Sequence, residues 1–341
     1  MTITKLAWRD LVPDTESYQD LFSQPELATE HPFILSDTQP RLHYALEQAL
    51  SPWATSPFML LKAPEEAEYL TLLGDAMRQL RPEANAVFGG QYRIAGDKIA
   101  FEPADRADDR FAATGEVITA NWVEAEQLFG CLRQFNGELS LQPGLVHRAN
   151  GGVLIISLRT LLSQPLLWMR LKTIVTQQRF DWVGYDESRP LPVSVPSMPL
   201  SLTVVLTGDR ESLADFQEME PELAELAVYS EYEDNIQVAD ADDMAQWCQW
   251  VLAVAERFAL PMPAADAWPG LIREAVRYTG DQETLPLSPL WIGKQLREVG
   301  VISGKGAFTG EQLTQMLAQR EWREGYLADR MQDEILLEQI L

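Results

Sequence analysis

The chain has 341 residues, 46% of them apolar and ten of them tryptophan, a globular composition with enough length for two domains and a sizeable core. Lysine and arginine number 27 against 51 aspartates and glutamates, a net charge of −24. So acidic a surface speaks against binding a nucleic-acid backbone, which needs clustered Lys and Arg, and against an anionic membrane.

Two cysteines, Cys131 and Cys248, make no disulfide framework. No apolar run approaches the length of a membrane span, and the first residues lack a signal-peptide core. A cytoplasmic protein is expected. His31, His43 and His147 are scattered, and zinc held by His147, Cys131 and Cys248 would be a tertiary accident.

In chain order, residues 1–36 are punctuated by Pro13, Pro25 and Pro32 and read as an N-terminal arm with a helical patch at 18–22. Leu42, Ala45, Leu46, Ala49 and Leu50 mark an amphipathic helix over 39–50. Phe58-Met59-Leu60-Leu61 reads as a first buried strand. The turn Lys62-Ala63-Pro64-Glu65-Glu66-Ala67-Glu68 leads into a helix carried by Leu70, Leu73, Ala76, Met77 and Leu80. Residues 83–122 read as a short insertion, with a hairpin of 86–94 and 98–101 around Ala95-Gly96-Asp97. A helix is expected over 122–132.

Pro143-Gly144 then turns the chain into a polar corner, His147-Arg148-Ala149-Asn150-Gly151-Gly152, ahead of Val153-Leu154-Ile155-Ile156. That run has the pattern of a strand buried on both faces in a parallel sheet. The helix after it is broken at Pro165. Four prolines make 184–199 an irregular connector, and 202–206 and 228–232 read as further strands. Asp209 reads as the N-cap of the helix that follows it. Helices over 242–258, 264–278, 289–299 and 311–319 follow in sequence, and Met331, Ile335, Leu336 and Ile340 mark a last one over 321–341.

Pro143-Gly144-x-x-His147-Arg148-Ala149-Asn150-Gly151-Gly152, a buried strand, then Leu162-Ser163-Gln164-Pro165 resembles the AAA+ module of the Lon protease family. Leu128-Phe129-Gly130 and Gly280-Asp281-Gln282-Glu283-Thr284-Leu285-Pro286-Leu287 match the same pattern. The resemblance implies an α/β P-loop NTPase fold over about 37–233, a helical lid over 234–320, and a last helix leading toward a Ser–Lys peptidase domain.

It also implies where nucleotide chemistry belongs, and there this sequence departs. A phosphate loop reads G-x-x-x-x-G-K-[ST], with backbone N–H groups around the phosphates, Lys on the β/γ oxygens and the hydroxyl on Mg²⁺. Residues 62–68 keep neither glycine nor the Lys–Ser/Thr pair, and they put three glutamates near a helix N-terminus, where they satisfy its dipole and repel phosphate. The metal-binding aspartate of the family falls on Ser157, its trans-acting arginine on Ala224 and its sensor arginine on Ser288. Asp209 is the one sensor-like polar residue left.

These losses imply a non-hydrolysing AAA+-like module without ATP or Mg²⁺. It would bind or present protein substrates to a Lon-type serine peptidase, or serve as a scaffold, within a homo-oligomer. The alternatives are an ATP-dependent Lon-type protease that uses ATP through unorthodox residues, and a free-standing adaptor of a larger complex. For protein contact the candidates are His147 and Arg148 at the corner and Tyr92 and Phe101 on the hairpin. The plainer reading of the corner pair is that they cap the turn into the buried strand.

Overall fold

The computed structural model describes residues 13–23, 35–81, 86–107, 109–184 and 190–336. These divide into Gln39–Tyr232 and a second unit that joins the residues before Gln39 to those from Glu233 onward.

The first unit is built on five parallel strands: β1 (Phe58–Lys62), β2 (Val117–Ala120), β3 (Val153–Ser157), β4 (Thr203–Gly208) and β5 (Val228–Glu231). Their order across the sheet is β5-β1-β4-β3-β2. Parallel neighbours need crossover connections, and helices supply them. α1 (Pro40–Leu50) leads into β1, and the crossovers hold α2 (Ala67–Leu80), α3 (Leu158–Ser163), α4 (Pro165–Gln177), α5 (Arg210–Met219) and α6 (Pro221–Leu226). Register pairs Leu60 with Leu206 and Leu206 with Ile156, so the large apolar side chains of the central strands share one layer. Every residue of β3 is buried. Trp168 on α4 closes the core edge-on to Phe58 (5.6 Å between centroids) and Phe216 (5.0 Å), and its indole N–H donates to Glu220 at 2.8 Å.

Three expectations change between β1 and β3. The hairpin exists, as Phe88–Ala95 with Lys98–Pro103, but Phe111–Ala113 joins it in a three-stranded antiparallel sheet. Val117–Ala120, expected within the insertion, is the edge strand of the main sheet; four residues are too few to declare a period. The helix expected over 122–132 shrinks to Ala125–Phe129. Gly130 ends it at φ +70, and Cys131–Phe135 then pairs with Glu138–Gln142 as a hairpin. Its tip, Asn136-Gly137, has φ of +50 and +84, the left-handed pair a tight hairpin turn requires. Leu128 and Leu132, four apart, fit one helix, but the Asn-Gly pair is the better signal. In the 184–199 connector, Met198–Pro199 forms a short antiparallel pair with Arg179–Phe180.

The second unit is helical: α7 (Ala241–Arg257), α8 (Trp268–Thr279), α9 (Pro289–Ser303), α10 (Gly310–Glu324) and α11 (Tyr326–Leu336). A two-stranded antiparallel pair, Asn235–Gln237 with Thr284–Pro286, accompanies them. Trp247 and Trp268 meet at its centre, and Phe22 stacks on Trp268 at 6.2 Å. His31, Pro25 and Pro32 of the expected arm, and Ile340 of the last helix, lie outside the described residues.

Candidate functional site at the carboxyl ends of the sheet

Open parallel sheets place ligands beyond the carboxyl ends of their strands. Here those ends are Lys62, Ala120, Ser157, Gly208 and Glu231. The connection from β1 to α2 has only the residues Ala63, Pro64, Glu65 and Glu66. Proline has no N–H, and the Ala63 N–H is already spent on the Gly208 carbonyl at 3.1 Å. The remaining backbone N–H groups are those from Glu65 into the first turn of α2, where Glu66 and Glu68 add carboxylates.

Glu65 occupies the place instead. It is only 8% exposed. Its carboxylate accepts the Ser157 hydroxyl at 2.5 Å and the Arg159 backbone N–H at 3.1 Å, and Arg159 Nε lies 3.2 Å from its other oxygen. Charge-assisted bonds of this kind are short and roughly twice as strong as neutral ones. The loop after β1 is thereby tied to the end of β3, the two places that phosphate and metal would otherwise join. The two departures that the sequence shows separately, Glu65 in the loop and Ser157 at the aspartate position, are the two ends of one hydrogen bond.

The neighbouring groups are also committed. Lys62 Nζ sits 2.7 Å from Glu231, and the Tyr229 hydroxyl donates to the same carboxylate at 2.9 Å. Those bonds, Lys62 first, hold Glu231 below the usual carboxylate range. Glu66 is the exposed N-cap of α2, whose first residue, Ala67, is exposed, and Glu68 adds a carboxylate to its first turn. Asp209 caps α5: its carboxylate accepts the Ser212 N–H at 2.7 Å, which lowers its pKa. Ala224 lies half-buried on α6 against the core. In the helical unit, the Ser288 hydroxyl accepts the Trp291 N–H and caps α9.

The corner before β3 is architectural. Asn150 is buried, donates to the Pro199 carbonyl at 3.2 Å and accepts the Ser201 N–H at 2.9 Å. A Cβ on Gly151, which sits at φ +75, would fall 2.1 Å from the Phe88 ring. His147 is 1% exposed. Its Nδ1 accepts the Gly144 N–H at 2.9 Å, and its ring stacks on Trp182 and meets Phe180 at 4.3 Å. Burial, then the nearby Arg170 charge, pushes its pKa down to about 3.

His147 therefore has no surface to offer a passing polypeptide. Tyr92 is half-buried: its hydroxyl donates to the Pro196 carbonyl and accepts the Trp182 indole N–H, and burial pushes its pKa up to about 12. Phe101 packs on Tyr92 at 5.2 Å. Arg148 is exposed and pairs with Glu116 at 3.2 Å.

Two aromatics not anticipated from the sequence are open instead. Trp122, 57% exposed, follows the carboxyl end of β2. Its loop is anchored from beyond β3, where Thr160 donates to the Asn121 carbonyl and Gln164, of the Gln-Pro motif, donates to the Val123 carbonyl. Phe135, 77% exposed, precedes the tip of the Cys131–Gln142 hairpin. Among the described residues no three His, Cys, Asp or Glu side chains are grouped to hold a metal ion. No described helix is long and apolar enough to cross a membrane.

A parallel sheet in the order β5-β1-β4-β3-β2, flanked by helices and followed by a helical unit, defines an AAA+-like module of the P-loop NTPase fold. The LonB-like AAA domain family matches residues 114–229. Over all 341 residues the chain is 66% identical to a protein of Escherichia coli (strain K12) named "Putative Lon protease homolog", and covers 58% of that protein. A Haemophilus influenzae protein of the same name is 34% identical over 294 residues, 84% of this chain and 49% of its own length. An archaeal Lon protease of Pyrococcus abyssi is 28% identical over 199 residues, 56% of this chain and 20% of that protein. The chain belongs to the Lon protease homologs with a LonB-like AAA domain, and spans about half the length of the first two relatives.

Proposed function

We propose that this module hydrolyses no nucleotide and works as a protein-binding scaffold of a Lon-type assembly, presenting polypeptide to a serine peptidase from within a homo-oligomer. The carrying observation is the Glu65 carboxylate, held by Ser157 and Arg159 between the ends of β1 and β3. Phosphoryl transfer depends on positive charge placed around the transferred group. In this place the chain puts a carboxylate, and Lys62 is paired with Glu231. Trp122 and Phe135 support the protein-binding half of the reading: exposed aromatics on anchored segments are what a polypeptide contact uses.

The test is a titration with Mg²⁺-ATP to millimolar concentration, read by calorimetry and by thermal shift. A ligand at 100 times its Kd stabilises a fold by about 2.7 kcal/mol, which neither readout would miss. No heat and no shift are expected. Micromolar binding would overturn the reading and put an ATP-dependent Lon-type protease first.

A further inference from the structure

A cleft of about 600 Å³ runs along β2, lined by residues 114–119 and by Arg78, Arg81, Leu145 and Arg148. β2 ends the sheet: β3 pairs with it on one side, and among the described residues no strand pairs on the other. An open strand edge is a template for another chain. Three guanidiniums and one carboxylate, Glu116, line this cleft, in a chain where acids outnumber bases about two to one. The charge is locally inverted.

The backbone is shaped to seat one of these cations. Arg81 donates to the carbonyls of Gly115 and Gly151, at 2.7 Å to the latter. It reaches them because Gly115, at φ +77, has no Cβ; one there would lie 2.6 Å from Arg81 Nη2 and from the Gly151 oxygen. A guanidinium has five N–H donors, and this one has no carboxylate partner among the described residues. Arg78 is shared between Asp75 at 2.7 Å and the Val117 carbonyl at 3.1 Å, so it too stands at the strand edge.

We propose that this cleft takes an extended acidic peptide segment, which displaces Arg78 from the Val117 carbonyl to add to the edge of β2 as a strand, and sets its carboxylates against Arg81, Arg148 and the displaced Arg78. Strand addition supplies affinity through main-chain bonds, and the arginines select the side chains. A long polyanion is the poorer occupant, since the rest of a surface with net charge −24 repels it. The cleft does not depend on whether nucleotide binds at the other ends of the strands, so either proposal can fail alone.

The experiment is fluorescence anisotropy with a labelled peptide alternating valine and glutamate. Its controls are the same peptide with glutamine for glutamate, and with every second amide N-methylated in each register. The glutamate peptide is expected to bind about tenfold more tightly than the glutamine one and to weaken with salt. N-methylation in one register is expected to abolish binding. Arg148→Ala and Arg78→Ala should each weaken it severalfold, with thermal unfolding confirming that the variants fold. Equal binding of the glutamine peptide, equal binding of both N-methylated peptides, no binding of any peptide, or displacement by inorganic phosphate alone would each overturn the proposal.

Discussion

Glu65 and Ser157 meet through one short hydrogen bond, and the coupling can be measured. Ser157→Asp would face a buried carboxylate with a second one, the arrangement in which like charges cannot both ionise. Glu65→Gln removes that conflict. In a double-mutant cycle read by urea unfolding, Ser157→Asp is expected to cost several-fold less in the Glu65→Gln background than alone. Glu65→Ala by itself leaves the Ser157 hydroxyl and the Arg159 N–H without their acceptor, at about 1–3 kcal/mol. Additive effects would mean that the bond does not hold the loop to the strand.

His147 makes a second residue-scale prediction. Its pKa is lowered to about 3 from an ordinary 6.5. Between those values the unfolded chain binds a proton that the folded chain refuses. Its contribution to stability is therefore complete above about pH 6.5 and is lost as the pH falls toward about 3. His147→Asn keeps an acceptor near the Nδ1 position and removes the titration. Unfolding at about pH 7 and about pH 5 should show a flatter pH slope for the variant, despite a lower overall stability from lost ring packing. The sequence places the corner correctly but cannot say which residues face inward. For His147 the plainer reading, a cap on the turn, agrees with its bond from the Gly144 N–H, whereas contact with a partner rests only on side-chain type. Trp182 stacks on His147 and bonds Tyr92, and Pro196 accepts from Tyr92; Trp182 and Pro196 lie about a hundred residues from Tyr92, and no local pattern reports that.

At the scale of elements, the strongly periodic segments were legible. β1, β3, β4 and the four long helices of the second unit declare themselves by apolar runs or helical spacing. The elements that escaped are short or depend on pairing: β2, and the Cys131–Gln142 hairpin. Trp122 follows β2 and Phe135 lies on that hairpin, so the exposed aromatics escape notice along with their elements. Phe135→Ala and Trp122→Ala remove exposed rings and should change stability by less than about 0.5 kcal/mol. Each is expected to weaken capture of a permanently unfolded test protein, measured by anisotropy. Unchanged capture in the double variant would remove these residues from the contact. Gly152→Ala, at the corner just before β3, is a structural control. Its Cβ would lie 2.1 Å from the Glu116 carbonyl oxygen, so backbone must move and a clear drop in Tm is expected.

The whole molecule adds a constraint that no single site carries. Two copies meet with net charge −24 on each, and their repulsion opposes assembly at low ionic strength. Salt shortens its reach, from about 30 Å at 0.01 M to about 8 Å at 0.15 M. An ATPase ring gains cohesion from nucleotide held between subunits; a scaffold with Glu65 in the phosphate position has only its surfaces. Sedimentation velocity separates the two cases. The mass distribution should move upward as salt is raised and stay unchanged when Mg²⁺-ATP is added at constant ionic strength. The Glu65→Ala variant should follow the same salt course, because its carboxylate acts within one chain. Assembly that appears only with Mg²⁺-ATP would mean that the carboxyl ends of the sheet accept nucleotide after all, and the module would be read as an ATP-dependent one.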